Sequence, residues 1–247
     1  MNRQTVLIAA YPKSGSTWLT RLLGDVLDSP TGGCMPSEDA KEVATEGQDR
    51  PGPYIVRKGH YVLIDNDIGE VVPTPHRLAW KLLTNEKIVF LIRDPRDICV
   101  SGAWHWQQPV SVFLDRMIAG DVARCGRWDE YVGTWTETGQ KTPCAYPVRY
   151  EDLTGYTLTY MGIICRSLEL DFNLYLSRGH QAIERQSFTA RASGLSEQEL
   201  RRNNMRKGIA GDWHNHFTLE MNYKIWKEFG WMMERLGYDT GLSLDQQ

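Results

Sequence analysis

Six consecutive residues, Lys87–Ile92 (KIVFLI), constrain the fold more than any other part of the chain. A strand with one face in water alternates apolar and polar residues, whereas a strand inside a covered parallel sheet is apolar throughout. KIVFLI follows the second pattern, and Thr5–Ala10 (TVLIAA) repeats it near the start of the chain. The two runs predict a central parallel sheet flanked by helices, which is an α/β fold.

The residues that follow Thr5–Ala10 predict a turn and then a helix. Pro12 and Gly15 interrupt the apolar run within Tyr11–Ser16. Apolar residues then recur at the helical period of 3.6, at Trp18, Leu19, Leu22, Leu23, Val26 and Leu27. The sequence Asp28–Pro30 (DSP) predicts the end of this helix. A strand, a glycine-containing turn and an amphipathic helix in this order are typical of nucleotide-binding α/β domains.

We expect a single domain over residues 1–247, because no repeat, low-complexity tract or linker divides the chain. Pro30–Pro53 predicts a mobile loop, and Gln186–Gly211 predicts a polar segment with a basic cluster. Further strands are predicted at Tyr54–Lys58 and Ala145–Arg149. Helices are predicted from Pro95 onward and at His76–Leu83, Val110–Ala119, Trp128–Thr138, Leu153–Leu168 and Leu219–Leu236, the last with Gly237 as its C-cap.

The composition argues against several classes of protein. The 247 residues carry a net charge of −3, from 28 Lys and Arg against 31 Asp and Glu, which disfavours a non-specific nucleic-acid binder. The apolar runs are strand-sized and no charged-then-apolar leader opens the chain, so we expect neither a membrane protein nor a secreted one. The five cysteines form no CxxC pair, which favours free thiols in a reducing cytoplasm.

The turn Tyr11–Trp18 (YPKSGSTW) is the first candidate anion site. A turn that enters a helix presents free backbone N–H groups and the positive end of the helix dipole. Lys13 adds a full charge, and Ser14, Ser16 and Thr17 add hydroxyl donors. The turn is not a Walker A loop, because no Gly-Lys-Ser/Thr follows a glycine four residues earlier. The alternative interpretation is an ordinary turn with a solvated lysine.

The sequence Lys58-Gly59-His60 follows a predicted strand and is a candidate catalytic element. Histidine is the side chain best suited to transfer a proton at neutral pH. In an extended segment, Lys58 would lie on the same side as His60. A lone histidine is more often structural, and that alternative stays open on these residues alone.

Two basic segments complete the set of candidates. Arg93 leaves the end of a predicted central strand, where ligands bind in open parallel sheets, and Ser101 lies two helical turns further. The alternative is that the pairs in Arg93–Asp97 (RDPRD) neutralise each other. The second segment, Arg201–Gly208 (RRNNMRKG), combines cations with a glycine that permits close backbone approach, and its alternative is a solvated loop. The histidines at 214 and 216 lack further ligands in register, so we expect no metal site.

The order and spacing of these segments together are more specific than any one of them. YPKSGSTW, KGH, RDPRDICVS and RKGIAGDWHNHFT resemble the cytosolic-type sulfotransferases that use 3′-phosphoadenosine-5′-phosphosulfate (PAPS). The resemblance extends from about Val6 to Trp231 and covers nearly the whole chain. It implies a single α/β domain related to the nucleotide kinases, with PAPS as sulfuryl donor and no metal.

The resemblance also implies a role for each candidate residue. Lys13, Ser14, Gly15, Ser16, Thr17 and Trp18 match the loop that binds the 5′-phosphosulfate. Arg93 and Ser101 match the first 3′-phosphate contact, and Arg206, Lys207 and Gly208 match the second. Trp18, Tyr150 and Phe188 match the residues around adenine, and Lys58 and His60 match the catalytic lysine and the general base. These roles imply in-line transfer to a hydroxyl or amine of a small acceptor.

Some features depart from the family pattern. Gly59 stands where a threonine or serine is usual, and His214 stands where a lysine is usual. The stretch from His60 to Arg93 is longer than in the animal enzymes, which leaves His76 as a rival for the base. The segment from His214 to Tyr223 lacks both charged ends of the family's dimerisation pattern, so we expect a monomer or a dimer made elsewhere.

Two other functions are compatible with parts of this pattern. A nucleotide-dependent kinase of related fold would need a Walker A lysine, which is missing. A non-catalytic module that binds PAPS or another nucleotide would not need both Lys13 and His60. For the acceptor we expect a small hydroxylated molecule in a pocket lined by aromatic residues. The candidates, for which core packing is the alternative, are Tyr61, Trp80, Trp104, Trp106 and Phe113.

Overall fold

The computed structural model describes residues 3–32, 46–60, 62–64, 77–79, 87–139 and 145–241. Its strands are β1 (Gln4–Ala10), β2 (Thr31–Gly32), β3 (Tyr54–Gly59), β4 (Val62–Ile64), β5 (Arg77–Ala79), β6 (Lys87–Ile92) and β7 (Ala145–Arg149). Within the described residues, five of them form one sheet in the order β2-β3-β1-β6-β7, and every neighbouring pair is parallel. The predicted α/β fold with a central parallel sheet is confirmed.

Helices cover both faces of this sheet. They are α1 (Ser16–Val26), α2 (Pro95–His105), α3 (Val110–Ile118), α4 (Trp128–Gly139), α5 (Tyr150–Gly155), α6 (Thr157–Ser167), α7 (Phe172–Gln186), α8 (Phe188–Ala192), α9 (Glu197–Arg202) and α10 (Leu219–Arg235). A short 3₁₀ helix spans Asp212–Asn215. None of the helices in the described ranges is both long and apolar enough to cross a bilayer.

The two-sided cover explains why the central strands are apolar at every position. Leu7 and Ala9 of β1 belong to one buried cluster, with α2, α3, α4 and α10. Ile8 and Ala10 point the other way, into a cluster with α1, α6 and α7. Because successive side chains of a strand face opposite sides of the sheet, both sets must be apolar when both faces are buried.

Three parts of the chain differ from the prediction made from the sequence. Arg77–Ala79, predicted within a helix, pairs as β5 with Val62–Ile64 in a parallel ladder, and the rest of 76–83 lies outside the described residues. The helix predicted at Leu153–Leu168 is divided at Tyr156, where φ is −136° and ψ is 51°. At Arg77–Ala79, pairing with a partner strand overrides the helical pattern. At Tyr156, the backbone geometry interrupts it.

The third difference comprises elements that the periodicity did not predict, namely β4, α8, α9 and the longest of them, α7. Asp171 caps it, because its side chain accepts hydrogen bonds from the backbone N–H groups of Asn173 and Leu174. The predicted loop Pro30–Pro53 begins with β2, and its residues 33–45 lie outside the described part. The remaining predicted strands and helices are confirmed to within a few residues at their ends, and Gly237 follows α10 at a φ of 73°.

Parallel strands bring the residues that follow them to one edge of the sheet. The residues directly after β1, β3, β6 and β7 begin with Tyr11, His60, Arg93 and Tyr150. Ligands of open α/β sheets bind at this carboxyl edge. The fold therefore assembles there the candidate residues that are far apart in the sequence.

Candidate active site

A cavity of about 520 Å³ opens at the carboxyl edge of the sheet. Every residue that the sequence singled out for catalysis or nucleotide binding lines it, except Ser14. The lining residues from that set are Lys13, Gly15, Ser16, Thr17, Trp18, Lys58, His60, Arg93, Ser101, Tyr150, Phe188, Arg206, Lys207 and Gly208. Ser14 is buried beneath the turn, and its hydroxyl has no hydrogen-bond partner among the described residues.

The turn before α1 requires two unusual backbone conformations. Lys13 has a φ of 70° and Gly15 a φ of 96°, both in the left-handed region. A Cβ on Gly15 would lie 2.6 Å from the ring of Tyr150, so a side chain fits neither the conformation nor the space. No side chain caps α1 at Gly15. The first N–H groups of α1 therefore remain available to an anion at the cavity wall.

Lys13 is held from the opposite side of the cavity. Its ammonium donates to Oδ1 of Asn204 at 2.9 Å, and it lies 5.9 Å from the ring centre of Trp106. Its backbone carbonyl accepts a hydrogen bond from Arg93 at 3.1 Å. Sequence reasoning missed Asn204. The only available signal was its type, because asparagine tolerates the left-handed φ of 59° found there.

The environment of His60 sets which ring nitrogen can accept a proton. Nδ1 lies 2.6 Å from the backbone carbonyl oxygen of Ala10, the last residue of β1. A carbonyl oxygen only accepts, so in the neutral ring Nδ1 carries the hydrogen and Nε2 carries the lone pair. The contact follows from the β1–β3 register, which pairs Ala9 with Gly59 immediately before His60.

Lys58 lies beside the same turn. It is 3% exposed, and its ammonium donates to the hydroxyl of Thr17 at 3.1 Å. A buried ammonium is stabilised by hydrogen bonds and by anions. Lys58 therefore places a second positive charge close to the N-terminus of α1, on the same side of the cavity as Lys13.

Arg93 is a buried residue of the cavity lining that also holds neighbouring segments together. Its guanidinium lies 4.2 Å from the ring centre of Tyr150 and also donates to the carbonyl of Ile209 at 3.2 Å. Its Nε is buried without a hydrogen-bond partner in the described part of the chain. Ser101 lies two turns along α2 and lines the same cavity. Arg93 thus contacts three segments of the site at once.

The charges of Arg93–Asp97 pair within the segment, as the alternative to an anion site predicted, but the partners are not direct neighbours in the sequence. Asp94 binds Arg96 through three hydrogen bonds from the guanidinium, and Arg96 stacks on Trp213 at 3.7 Å. Arg93 instead lies 3.7 Å from Asp97. Arg96 is only 1% exposed, so it stabilises the fold and does not face the cavity.

Asp97 connects α2 to the residues that follow the basic segment Arg201–Gly208. Its carboxylate accepts from the backbone N–H groups of Gly211 at 2.7 Å and Trp213 at 3.0 Å. Burial raises the pKa of Asp97, and the charge of Arg93 opposes that shift only in part. The carboxylate that fixes the backbone at Gly211 and Trp213 is therefore itself buried.

The cations of the basic segment meet a second buried carboxylate. Arg206 and Lys207 both donate to Asp212, with Lys207 at 3.1 Å. Burial alone would raise the pKa of Asp212, but hydrogen bonds from Asn215, Arg206 and Lys207 outweigh it and hold the pKa well below its usual range. Asp212 therefore stays ionised and orients both cations at the cavity wall.

Another part of the cavity wall is aromatic. Trp18 packs edge-on against Tyr150 at 6.0 Å, and its indole N–H donates to the carbonyl of Gln186 at 3.0 Å. Phe188 follows two residues later and covers Gly208, where a Cβ would lie 3.0 Å from its ring and φ is 70°. Flat apolar faces beside cations, such as Arg93 over the ring of Tyr150, suit a nucleotide.

His105 is a second histidine at the cavity and was not predicted from the sequence. Burial, followed by the charge of Lys13, lowers its pKa to about 4, so the ring is neutral at physiological pH. His76, the rival for the base, lies outside the described residues. His105 is the last residue of α2. No motif surrounds it in the sequence, so only the fold shows that it lines the cavity.

The expected aromatic acceptor residues divide between the cavity and the core. Trp106 lines the cavity, is 39% exposed and stacks on Phe113 at 5.4 Å. Phe113 itself is fully buried in the core, so its role is packing. Trp104 faces Arg201 at 5.1 Å, and Tyr61 and Trp80 lie outside the described residues.

Comparison with known proteins identifies relatives over nearly the whole chain. The sequence profile of the sulfotransferase domain matches residues 3–237. Mouse sulfotransferase 2A6 is 26% identical over 97% of this chain and 87% of its own. Dog sulfotransferase 1B1 is 28% identical over 89% of this chain and 80% of its own.

Solved structures show the same fold. Mouse sulfotransferase SULT7A1, complexed with PAP, superposes with a TM-score of 0.68 at 20% identity, over 97% of this chain and 86% of that one. Retinol dehydratase, in complex with androsterone and the inactive cofactor PAP, gives 0.65 at 18% identity, over 100% and 85%. At these identities the likeness establishes the arrangement of helices and strands.

Proposed function

This chain belongs to the sulfotransferase family, and from that premise we propose that it transfers the sulfuryl group of PAPS to a hydroxyl or amine of a small acceptor. The observation that carries the proposal is one cavity that unites Lys13, His60, Arg93 and Arg206. The presence of PAP in the SULT7A1 and retinol dehydratase structures supports the choice of donor. PAP is the bisphosphate product that PAPS would leave after transfer.

The residues of the cavity fit a nucleotide that bears two anionic groups. Lys13 and Lys58 lie beside the N-terminus of α1, while Arg93, Arg206 and Lys207 form a second cationic group. Nε of Arg93, which lines the cavity, is a buried donor without a partner in the described residues. Leaving such a donor unsatisfied costs about 1–3 kcal/mol, and an anion that supplies acceptor oxygens would remove that cost.

Each group of cations has a distinct proposed ligand. Arg93, Ser101, Arg206, Lys207 and the backbone of Gly208 would hold the 3′-phosphate. Lys13 and the turn Ser14–Thr17 would hold the phosphosulfate, with backbone N–H groups of α1 as further donors. Trp18, Tyr150 and Phe188 would enclose the adenine. Charge-assisted hydrogen bonds from arginine are well matched to phosphate oxygens.

His60 is the proposed general base of an in-line transfer. When bound, PAPS supplies an activated sulfuryl group with a stable nucleotide as leaving group. Nε2 of His60 would accept the proton of the acceptor hydroxyl, because Nδ1 is committed to the carbonyl of Ala10. That same carbonyl stabilises the imidazolium that forms, since both ring nitrogens then donate.

Lys13 and Lys58 would neutralise the negative charge that develops on the leaving side. An ammonium has three donors, so Lys13 can keep Asn204 as a partner and still contact an anion. Positioned charges in a site shielded from water contribute strongly to catalysis because they need no reorganisation. Group transfer of this kind depends mainly on alignment and charge neutralisation.

Other properties belong to the same proposal. We expect the acceptor to be a small hydroxylated molecule next to Trp106 and His105, both at the cavity wall. We expect the protein to act in the cytoplasm as a monomer, or as a dimer made outside the segment from His214 to Tyr223. No metal takes part in the proposed transfer.

Labelled donors distinguish this function from its alternatives. The protein is incubated with [³⁵S]PAPS and a panel of phenols, alcohols and amines, and in parallel with [γ-³²P]ATP and magnesium. We expect ³⁵S in at least one product and no ³²P transfer. Transfer of ³²P would favour a kinase, whereas tight bisphosphate binding without transfer to any acceptor would favour a non-catalytic nucleotide-binding module.

A further inference from the structure

Asn204 occupies a backbone position that usually belongs to glycine. At the end of α9, the backbone N–H of Asn204 donates to the carbonyl of Arg201 at 3.0 Å. The N–H of Met205 donates to the carbonyl of Leu200 at 2.9 Å. Two such bonds define a Schellman motif, in which one residue after the helix takes a left-handed φ, and Asn204 has a φ of 59°. The chain therefore carries a side chain where the backbone favours a residue without one.

The side chain at this position crosses the cavity to Lys13. Oδ1 of Asn204 accepts from Nζ of Lys13 at 2.9 Å, and both residues line the cavity. An ammonium only donates hydrogen bonds, so the amide must present its oxygen and not its NH₂ group to Lys13. The amide is neutral, so this bond holds the ammonium without cancelling its positive charge.

The short helix that carries Asn204 is itself fixed to its surroundings. Ser196 and Glu199 form a capping box at its N-terminus. The guanidinium of Arg201 lies 5.1 Å from the ring centre of Trp104 in α2. A side chain on a fixed backbone has little further freedom to lose when it binds a partner. Asn204 therefore offers Lys13 an acceptor in a defined position.

The held ammonium lies between the proposed nucleotide site and the proposed acceptor site. It is 5.9 Å from the ring centre of Trp106 on the acceptor side. Burial and then the charge of Lys13 lower the pKa of His105, which also lines that side. On the nucleotide side, the backbone carbonyl of Lys13 accepts from Arg93 at 3.1 Å. A lysine side chain has much rotamer freedom, so a partner that orients its ammonium beforehand favours any reaction that needs the charge at one point.

We infer that Asn204 is a positioning residue for the sulfuryl transfer, because its amide oxygen holds the ammonium of Lys13 toward the leaving group. The inference rests on the proposed function. In that transfer the acceptor oxygen bonds to sulfur, His60 takes the acceptor proton, and the bond from sulfur to the nucleotide oxygen breaks. The negative charge appears on that nucleotide oxygen. A cation that is already oriented stabilises this charge without reorganisation.

Asn204→Gly tests the inference, because glycine removes the amide and suits the left-handed backbone. Turnover is measured with [³⁵S]PAPS and the acceptor that the wild type sulfates best. We expect turnover to fall roughly 10-fold, as for the loss of a hydrogen bond to a charged group. The affinity for adenosine 3′,5′-bisphosphate should stay within about 3-fold by calorimetry, because Lys13 keeps its charge. The melting temperature should stay the same or rise, whereas a merely structural role of the amide predicts that it falls.

A double-mutant cycle shows whether Asn204 acts through Lys13. In the Lys13→Ala background, Asn204→Gly should change the remaining turnover by less than about 2-fold, because the group that Asn204 orients is already absent. An equal loss of turnover in both backgrounds would mean that Asn204 acts independently of Lys13, which overturns the inference.

Glu169→Gly is the matched control. Glu169 has a φ of 49° and ends α6 in the same way, since its N–H donates to the carbonyl of Arg166 at 3.1 Å and that of Leu170 to Cys165 at 2.8 Å. The side chain of Glu169 is exposed and lies outside the cavity lining. This variant should match the wild type in turnover and bisphosphate affinity.

The contact can also be measured without any donor. In ¹H–¹⁵N spectra of the lysine ammonium groups at low temperature, the signal that Lys13→Ala removes belongs to Lys13. We expect this signal to shift and broaden in Asn204→Gly and to be unchanged in Glu169→Gly, because a hydrogen-bonded ammonium exchanges its protons with water more slowly.

The outcomes distinguish this inference from the function on which it rests. Wild-type turnover in Asn204→Gly, or an unchanged Lys13 signal, overturns the role of Asn204 alone. If the wild type neither sulfates an acceptor nor binds the bisphosphate, the proposed sulfotransferase function fails and the inference fails with it.

Discussion

His60 and Lys13 both line the cavity, and each is held by a different partner, Ala10 and Asn204 respectively. Single substitutions can therefore separate their roles. In His60→Ala the proposed base is lost, while no cation of the nucleotide site changes. We expect turnover to fall roughly 10²- to 10⁴-fold, with bisphosphate affinity and melting temperature nearly unchanged. Transfer rates, calorimetry and thermal unfolding measure the three quantities.

The control for His60→Ala is His180→Ala, because His180 lies exposed on α7 away from the cavity. It should behave like the wild type in all three measurements. A folded His60→Ala protein that binds bisphosphate and transfers sulfate at a near wild-type rate would exclude His60 as the base. His76 would then be the next residue to test.

Lys13→Ala is expected to affect binding and turnover together. Its ammonium contacts the proposed phosphosulfate site in the ground state and more strongly in the transition state. Charge-assisted contacts contribute about 1.5–3 kcal/mol, so bisphosphate affinity should fall roughly 10-fold or more, and turnover further. Calorimetry and single-turnover rates test this. Reduced turnover with intact affinity would show that Lys13 does not contact the bound product.

His105 makes the stability of the protein depend on pH. Its folded-state pKa of about 4 lies below the unfolded value of 6.5, so the unfolded chain binds more protons between these values. The stabilisation is complete above pH 6.5 and is lost as the pH falls toward 4. Because the ring is only partly buried, we expect a loss of about 2 kcal/mol or less.

Urea unfolding of the wild type and His105→Phe at pH 7 and pH 4.5 measures this contribution. Phenylalanine keeps a ring at the position and cannot be protonated. The free energy of unfolding should fall less steeply with acid in His105→Phe than in the wild type. Parallel pH dependences would mean that His105 has the same pKa in the folded and unfolded chains.

At the scale of elements, the turn between β1 and α1 carries the strictest requirement. In Gly15→Ala the new methyl group would collide with the ring of Tyr150, at a φ of 96° that alanine rarely adopts. We expect the free energy of unfolding to fall by about 1–3 kcal/mol. The free energy of bisphosphate binding should weaken by more than that, because the N-terminus of α1 must shift. Thermal unfolding and calorimetry provide the measurements.

Gly133→Ala in α4 is the matched control for Gly15→Ala. A Cβ there meets only the flexible end of Met232, at 3.5 Å, which is ordinary contact. This variant should fold and bind bisphosphate like the wild type. Normal bisphosphate binding by Gly15→Ala would mean that the turn does not hold the phosphosulfate end of the nucleotide.

The oligomeric state is a property of the whole molecule, and our expectation for it rests on the surface from Thr218 to Tyr223. Leu219 and Tyr223 are 58% and 63% exposed on α10. His214 and Tyr223 stand at the two ends that are charged in the family's dimerisation pattern. We expect a monomer by light scattering. If a dimer forms, Thr218→Glu should leave it intact. A dimer that Thr218→Glu dissociates would contradict this expectation.

The sequence by itself determined the class of fold and the set of candidate residues. The apolar runs Thr5–Ala10 and Lys87–Ile92 predicted strands of a sheet covered on both faces. Carboxyl ends of such strands meet at one edge, so the segments after them had to converge there. The class of fold follows from local periodicity and composition, which are read directly along the chain. The roles of residues such as Tyr150, Phe188 and Arg206 came instead from the resemblance of the motifs to the sulfotransferases.

Contacts between distant residues were decided only by the tertiary structure. The tautomer of His60 depends on the register that brings Ala10 beside it, and Asn204 reaches Lys13 across 191 residues of sequence. β5 exists because a partner strand pairs with it. Such partners are chosen by packing, so no local pattern encodes them.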